Sequence, residues 1–301
     1  MTSVIVGYDG SDQARDALAL GEMLCAAEDG KLVLADVYPF DPRPLTPGYE
    51  TERAAARREA EATLRAAPLR RFRDANVERV AHACGSPARG LYEIAAARQP
   101  AVLVLGSPRR GARGRPGPGS VTPKLLHGAV CPVAVAPRGY AQRAGELRTL
   151  AAAFDGTDAS ALAVREAARI AQEAGAALRV IAIVDTFGAL YLGIERKTVL
   201  DLVQQELTER AERLCGSLPA ELSWDLRVMR GPVPRTLLGE AKVDVDLLVL
   251  GSRAYGPVGA LLLGSVSAQV LQSSTCPVLV VPRGAPVPRD AGELAAVRAG
   301  A

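Results

Sequence analysis

The sequence predicts an α/β protein made of two tandem open parallel five-stranded sheets, each with helices on both faces. The first observation behind this is a repeat. Asp9-Gly10-Ser11 returns as Asp155-Gly156-Thr157, 146 residues later. Gly106-Ser107, Gly119-Ser120-Val121-Thr122 and Cys131-Pro132-Val133 return as Gly251-Ser252, Gly264-Ser265-Val266-Ser267 and Cys276-Pro277-Val278, each 145 residues later. A repeat of this length is a domain rather than a solenoid unit. The second observation is alternation: short apolar, β-branched runs take turns with helical patterns, which implies parallel strands joined by right-handed crossovers. The third is length, since 301 residues divide into two pieces near the usual domain size of ~100–150.

Within the first copy, residues 3–8 are a β-branched run ending at Asp9-Gly10 and read as a buried strand. Ser11 can cap the helix that follows over 12–28, and Gly30 stops it. A second strand covers 31–37, and 39–47 form a Pro-rich loop. A long polar, Ala-rich helix covers 49–72, interrupted near Pro68. A third strand spans 77–83, and Ser86-Pro87 opens a helix to about 98. Residues 101–105 are an entirely apolar fourth strand, 120–127 a short helix, and 132–136 a fifth strand closed by Pro137. The second copy repeats the order, with strands near 149–154, 178–184, 223–228, 246–250 and 278–281 and a long helix over 197–215. The domains are therefore 1–138 and 147–283, with a linker at 139–146 and a Pro/Ala/Gly tail at 284–301.

Composition narrows the class of function. The chain is 49% hydrophobic and 23% charged, with a net charge of +3 and only 4% aromatic residues. No basic stripe is interleaved with aromatics, so nucleic acid is not expected as a partner. The cysteines Cys25, Cys84, Cys131, Cys215 and Cys276 are sparse, odd in number and without CxxC spacing. That speaks against a disulfide framework or zinc site and suits a reducing cytosol. No basic-then-apolar leader precedes the first strand, and no apolar run approaches the ~18 residues of a membrane helix. A cytoplasmic protein with no membrane partner is expected.

The chemistry sits at strand ends. Ligands of open parallel sheets bind beyond the carboxyl ends of the strands, where strand order reverses. Asp9 and Asp155 each end a first strand, and Gly106 and Gly251 each end a fourth. An Asp there can accept hydrogen bonds from ribose hydroxyls, and a glycine lets backbone N–H groups approach phosphate. Gly119-Ser120 and Gly264-Ser265 then open helices whose N-terminal amides favour an anion. Taken singly these residues have plainer readings: Asp9 and Asp155 as turn residues, the Gly-Ser pairs as ordinary helix starts. Their matched spacing in both copies favours a mononucleotide site. His82 and His127 lack a partner at metal-ligand spacing, and Cys131 and Cys276 read as buried small residues at strand starts.

At this point the whole chain, linker and tail excepted, resembles a tandem member of the universal stress protein family. ATP-binding members carry Gly-x2-Gly-x9-Gly-Ser/Thr after the fourth strand. The second copy has Gly251, Ala254 and Gly264-Ser265 at this spacing; the first has Gly106, Arg109 and Gly119-Ser120. The segments Val-Gly-Tyr-Asp-Gly-Ser at 6–11, Gly-Ser-Val-Ser at 264–267 and Cys-Pro-Val-Leu-Val-Val-Pro at 276–282 also match. The resemblance implies strand order 3-2-1-4-5 in each copy. It also implies that the fifth strands meet across an internal pseudo-twofold, which would cover two apolar edges; a homodimer is a further option. It implies ATP or a related adenine nucleotide, with Mg²⁺, in the second copy. There Asp155 would contact ribose, the Val184 backbone would read the adenine edge, and Gly251, Gly264, Ser265, Val266 and Ser267 would cradle phosphate, flanked by Arg253 and Ala254. A weaker site in the first copy would use Asp9, Val37, Gly106, Arg109, Gly119, Ser120 and Val121.

The two sites are expected to be unequal. Ala254 is nearly a glycine in bulk and Arg109 is not, and Leu261-Leu262-Leu263 can anchor the second loop where Arg115-Pro116-Gly117-Pro118 cannot. No Gly-x-Ser-x-Gly, Walker sequence or shared Ser/His/Asp set is present. Lys124 is answered by Gln269 in the second copy. The expected function is that of an adenine-nucleotide-binding stress regulator. A nucleotide-free dimerisation or signalling scaffold and a slow ATPase stand as alternatives.

Overall fold

The structure, a computed structural model, describes residues 3–27, 30–40, 49–107, 121–126, 128–186, 196–252 and 264–282. The first half runs β1 (Ser3–Gly7), α1 (Asp12–Ala27), β2 (Lys31–Tyr38), α2 (Tyr49–Arg65), β3 (Val77–Ala83), α3 (Pro87–Arg98), β4 (Val102–Gly106), α4 (Val121–Leu126) and β5 (Val133–Ala136). The second runs β6 (Thr149–Phe154), α5 (Asp158–Ala174), β7 (Ala177–Asp185), α6 (Arg196–Gly216), β8 (Trp224–Gly231), α7 (Val233–Glu240), β9 (Leu247–Gly251), α8 (Ser265–Ser273) and β10 (Val278–Val281). The helix after β2 ends at Arg65 rather than at residue 72. Pro68 lies three residues on, and the α conformation is disfavoured before a proline.

Each half is a parallel sheet in the order 3-2-1-4-5, as expected. The two sheets join into one through their fifth strands, as the resemblance implied. The full order is β3-β2-β1-β4-β5-β10-β9-β6-β7-β8, and every pairing is parallel except the central one. There β5 and β10 run antiparallel, with Val278 opposite Val135 and Val280 opposite Val133. Two apolar edge strands thereby satisfy each other's ladder, which removes a template for aggregation.

The two faces of this sheet carry two cores. Val4, Val6, Leu32 and Leu34 point to the α1/α2 side and join Leu150, Ala152, Leu178 and Val180 in one cluster. Ile5, Val33, Leu103 and Val133 point to the other side, with Ile181, Leu248 and Val280. The period-two alternation of strand side chains sorts them. Each core crosses the β5–β10 seam, so the halves share their apolar interior.

The 139–146 segment is docked rather than loose. Gly139 and Ala141 donate their N–H groups to the buried Asp16 carboxylate at 2.9 and 2.8 Å. Tyr140 is buried, its hydroxyl 3.1 Å from Met23 Sδ, and its phenol is pushed up to about 12 by burial first, then by Asp246. Glu22, 1% exposed, accepts from the backbone N–H groups of Arg70 and Arg71 at 2.8 and 2.9 Å. The guanidinium groups of Arg70 and Arg71 reach on to Ala141 O and Gly145 O. Two buried carboxylates of α1 therefore hold the segments at 70–71 and 139–141 through backbone donors, with no ion pair to either carboxylate among the described residues.

Candidate functional site

The carboxyl ends of β6 and β9 open on a cavity of about 810 Å³, within the range of small-molecule sites. Its floor is Ala153–Asp155 of the β6 end, Ile183 and Val184 of β7, and Leu250-Gly251 of β9. One wall is the first turn of α8, with Gly264, Ser265, Val266 and Ser267; another is α6, with Val203, Glu206, Leu207 and Arg210; a third is the start of α7, with Val233 and Leu237. Parallel order brings these together. β6 and β9 are sheet neighbours whose following helices lie on opposite faces, so a crevice opens between them.

The polar groups are placed locally. Gly156 takes φ +83°, which turns the chain sharply after β6. Asp155 Oδ1 accepts from Thr157 N at 3.1 Å and Thr157 Oγ1 at 2.6 Å, and Thr157 in turn caps α5 by accepting from Ser160 N. Gly264 is the N-cap of α8, with φ −62° and ψ 155°. The helix's first amides, which have no intrahelical acceptor, belong to residues bordering the cavity. Ser267 is 6% exposed, lines the cavity, and its hydroxyl has no hydrogen-bond partner among the described residues. A buried hydroxyl without a partner is uncommon in a native interior.

Gly251 has a reason the sequence did not disclose. A Cβ there would stand 2.5 Å from Ala159 O and 3.0 Å from Ser160 N. Gly106 has the same restriction, with Gln13 O at 2.2 Å. Backbone fills the missing side-chain space in both halves. These glycines are required by the close packing of strand end on helix start, whether or not a ligand is bound.

Of the expected second-copy residues, Asp155, Val184, Gly251, Gly264, Ser265, Val266 and Ser267 all border this cavity. Arg253 and Ala254 lie outside the described residues, as do Leu261, Leu262 and Leu263. In the first copy, Asp9 follows β1, Gly106 ends β4 and Val121 begins α4. Arg109, Gly119, Ser120 and the 115–118 stretch lie outside the described residues. Val37 and Val184 are not equivalent positions of the two halves. Val6 pairs with Leu34 and Ala152 with Val180, so Tyr38 answers Val184, and Val37 answers Ile183. A one-residue offset puts the side chain on the other face of the sheet.

The first half differs from the second at described positions near these strand ends. Tyr38 is a buried ring in place of Val184. Asp36 stands in place of Ala182, and its carboxyl is raised to about 6 by burial first, then by the charges of Asp9 and Glu59. Thr122, which answers Ser267, gives its hydroxyl to Gly106 O at 3.2 Å. The α6 wall was missed from sequence. Its signal was Val203, Glu206, Leu207 and Arg210 at three- and four-residue spacing, which places them on one helix face.

Comparison with known proteins decides the family. The profile of the universal stress protein family matches residues 1–137 and again 146–282. The chain belongs to the universal stress protein family. A universal stress protein of Mycobacterium tuberculosis is 31% identical over 202 residues, covering 65% of this chain and 69% of that protein. The crystal structure of a universal stress protein from Archaeoglobus fulgidus covers 94% of this chain and 98% of its own, at 17% identity and a TM-score of 0.63; it shares the fold. A solved universal stress protein in complex with cAMP is 25% identical and covers 45% of this chain, with a TM-score of 0.32. Among the described residues of this family member, no helix is long and apolar enough to cross a membrane. Among them, too, no group of three or more His, Cys, Asp or Glu could hold a metal ion.

Proposed function

We propose that this universal stress protein is a regulator that binds ATP or a related adenine nucleotide in its second half. The reading rests on Ser267, a buried residue that lines the cavity at the N-terminus of α8 and whose hydroxyl has no hydrogen-bond partner among the described residues. A phosphate oxygen there would satisfy Ser267 and the α8 amides together. Gly264, Ser265 and Val266 would complete the cradle beside Gly251, Asp155 would take a ribose hydroxyl, and the Val184 backbone would meet the adenine edge. A Mg²⁺ would arrive with the phosphates, keeping most of its own waters. The five cysteines are buried and unbridged, which suits the reducing cytoplasm. In the first half, Tyr38 and Asp36 would oppose an adenine nucleotide, one by bulk and one by charge, leaving that crevice weak or empty.

Two experiments test this. Mass spectrometry of small molecules released on denaturing the purified chain should find an adenine nucleotide. Ser267→Ala removes a hydroxyl with no hydrogen-bond partner among the described residues, so the melting temperature should hold or rise. ATP affinity should fall roughly tenfold for the lost hydrogen bond. Unchanged affinity, or lost stability with intact affinity, would remove Ser267 from the site.

A further inference from the structure

The α6 wall carries chemistry that the cradle does not explain. Glu206 and Arg210 are one helical turn apart and both line the cavity. Arg210 NH2 lies 2.7 Å from Glu206 Oε1, and its NH1 donates to Gly156 O at 3.4 Å. The same guanidinium lies over Gly156, 3.6 Å from where a Cβ would be. One planar group therefore ties the Glu206 carboxylate to the turn that carries Asp155. Such a fork holds its acceptors in fixed relation.

Asp155 is restricted at the same place. Its Oδ1 already accepts two hydrogen bonds from Thr157, which fills that oxygen's two acceptor sites. At most one Asp155 oxygen can serve a ligand, whereas a ribose offers two neighbouring hydroxyls. The first half lacks this arrangement. Thr63 stands over Gly10 where Arg210 stands over Gly156, so Glu59, the counterpart of Glu206, has no such anchor among the described residues.

We propose that Glu206, positioned by Arg210, is a second ribose-hydroxyl acceptor beside Asp155, and that the cavity selects adenine nucleotides whose 2′- and 3′-hydroxyls are both free. The proposal rests on the nucleotide reading above. A 3′,5′-cyclic nucleotide loses its 3′-hydroxyl and sets a phosphodiester anion against two carboxylates. It satisfies fewer acceptors and meets like charge.

Calorimetric titration of the full-length chain with ATP, 2′-deoxyATP, 3′-deoxyATP and cAMP tests it, run on the wild type and on Glu206→Ala. Glu206 is 64% exposed at its side chain, so the variant should fold, and a melting curve checks this. The wild type should prefer ATP about tenfold over at least one deoxy analogue and over cAMP, the factor expected for a hydrogen bond to a charged acceptor. Glu206→Ala should bind ATP about tenfold more weakly, bind that deoxy analogue as before, and lose the preference. Full discrimination retained in Glu206→Ala, or cAMP bound as tightly as ATP by the wild type, overturns the proposal while leaving the nucleotide reading standing. No heat with ATP in the wild type overturns both, and is distinguishable because the deoxy comparison then never arises.

Discussion

Asp36 is a carboxylate that the fold tolerates rather than uses, and Asp36→Asn measures its cost. Burial, then Asp9, then Glu59 raise its carboxyl from 3.8 to about 6. A shift of roughly two units corresponds to about 3 kcal/mol between the two protonation states; partial exposure reduces this to about 2 kcal/mol. The sign follows from proton uptake. Between about pH 4 and 6 the folded state holds a proton that the unfolded chain has released, so this group's contribution to stability falls as pH rises through that window. Above pH 6 the penalty is complete. Asp36→Asn keeps the shape, removes the charge, and should stabilise the chain by about 2 kcal/mol at pH 7.5 and by almost nothing at pH 4. Glu59→Gln should give a smaller gain, because Glu59 is the least of the three causes. Urea unfolding of both variants and the wild type at the two pH values reads this directly. A gain of equal size at pH 4 and 7.5, or none at pH 7.5, would refute the electrostatic account of Asp36.

Three further outcomes are expected. Gly251→Ala should cost about 1–3 kcal/mol of stability, because the added Cβ meets Ala159 O at 2.5 Å and backbone cannot swing aside; an unchanged melting temperature would contradict the packing role of this glycine. Asp16→Ala should leave Gly139 and Ala141 without their acceptor, cost about 1.5–3 kcal/mol, and move the first proteolytic cut into residues 139–146; first cleavage elsewhere would count against the clamp. Glu78 is held at about 2, chiefly by Arg98 and then Lys31. Its contribution is present above the ordinary carboxylate range and lost as pH falls toward 2, so Glu78→Gln should destabilise at pH 7 and less so at pH 3.

Much of the fold was legible because local and global signals agree. The runs at 77–83, 149–154 and 278–281 became strands with those limits, and the doubled landmarks fixed the alternation. What could not be read depends on partners far apart in sequence. Asp16 meets Gly139 across 123 residues, and nothing near Asp16 signals that the next segment docks on it. Gly106 and Gly251 were legible as glycines with a purpose, but the purpose of packing against a helix backbone emerges only when α1 and α5 are in place. That Val37 and Val184 are not counterparts was hidden for a related reason: register is set by pairing, and Tyr38 answers Val184 only once both ladders are aligned. The α6 wall was hidden because its crevice face mixes Val203 and Leu207 with the charged Glu206 and Arg210, which alone resembles a solvated helix.

The central claim, one adenine-nucleotide site in the second half, is tested most directly by isothermal titration of the full-length chain with ATP and Mg²⁺, beside Gly264→Trp. The account predicts one site per chain, abolished by the indole at the N-cap of α8, with little change in melting temperature. Two equal sites, or ATP bound as tightly by Gly264→Trp as by the wild type, would contradict it.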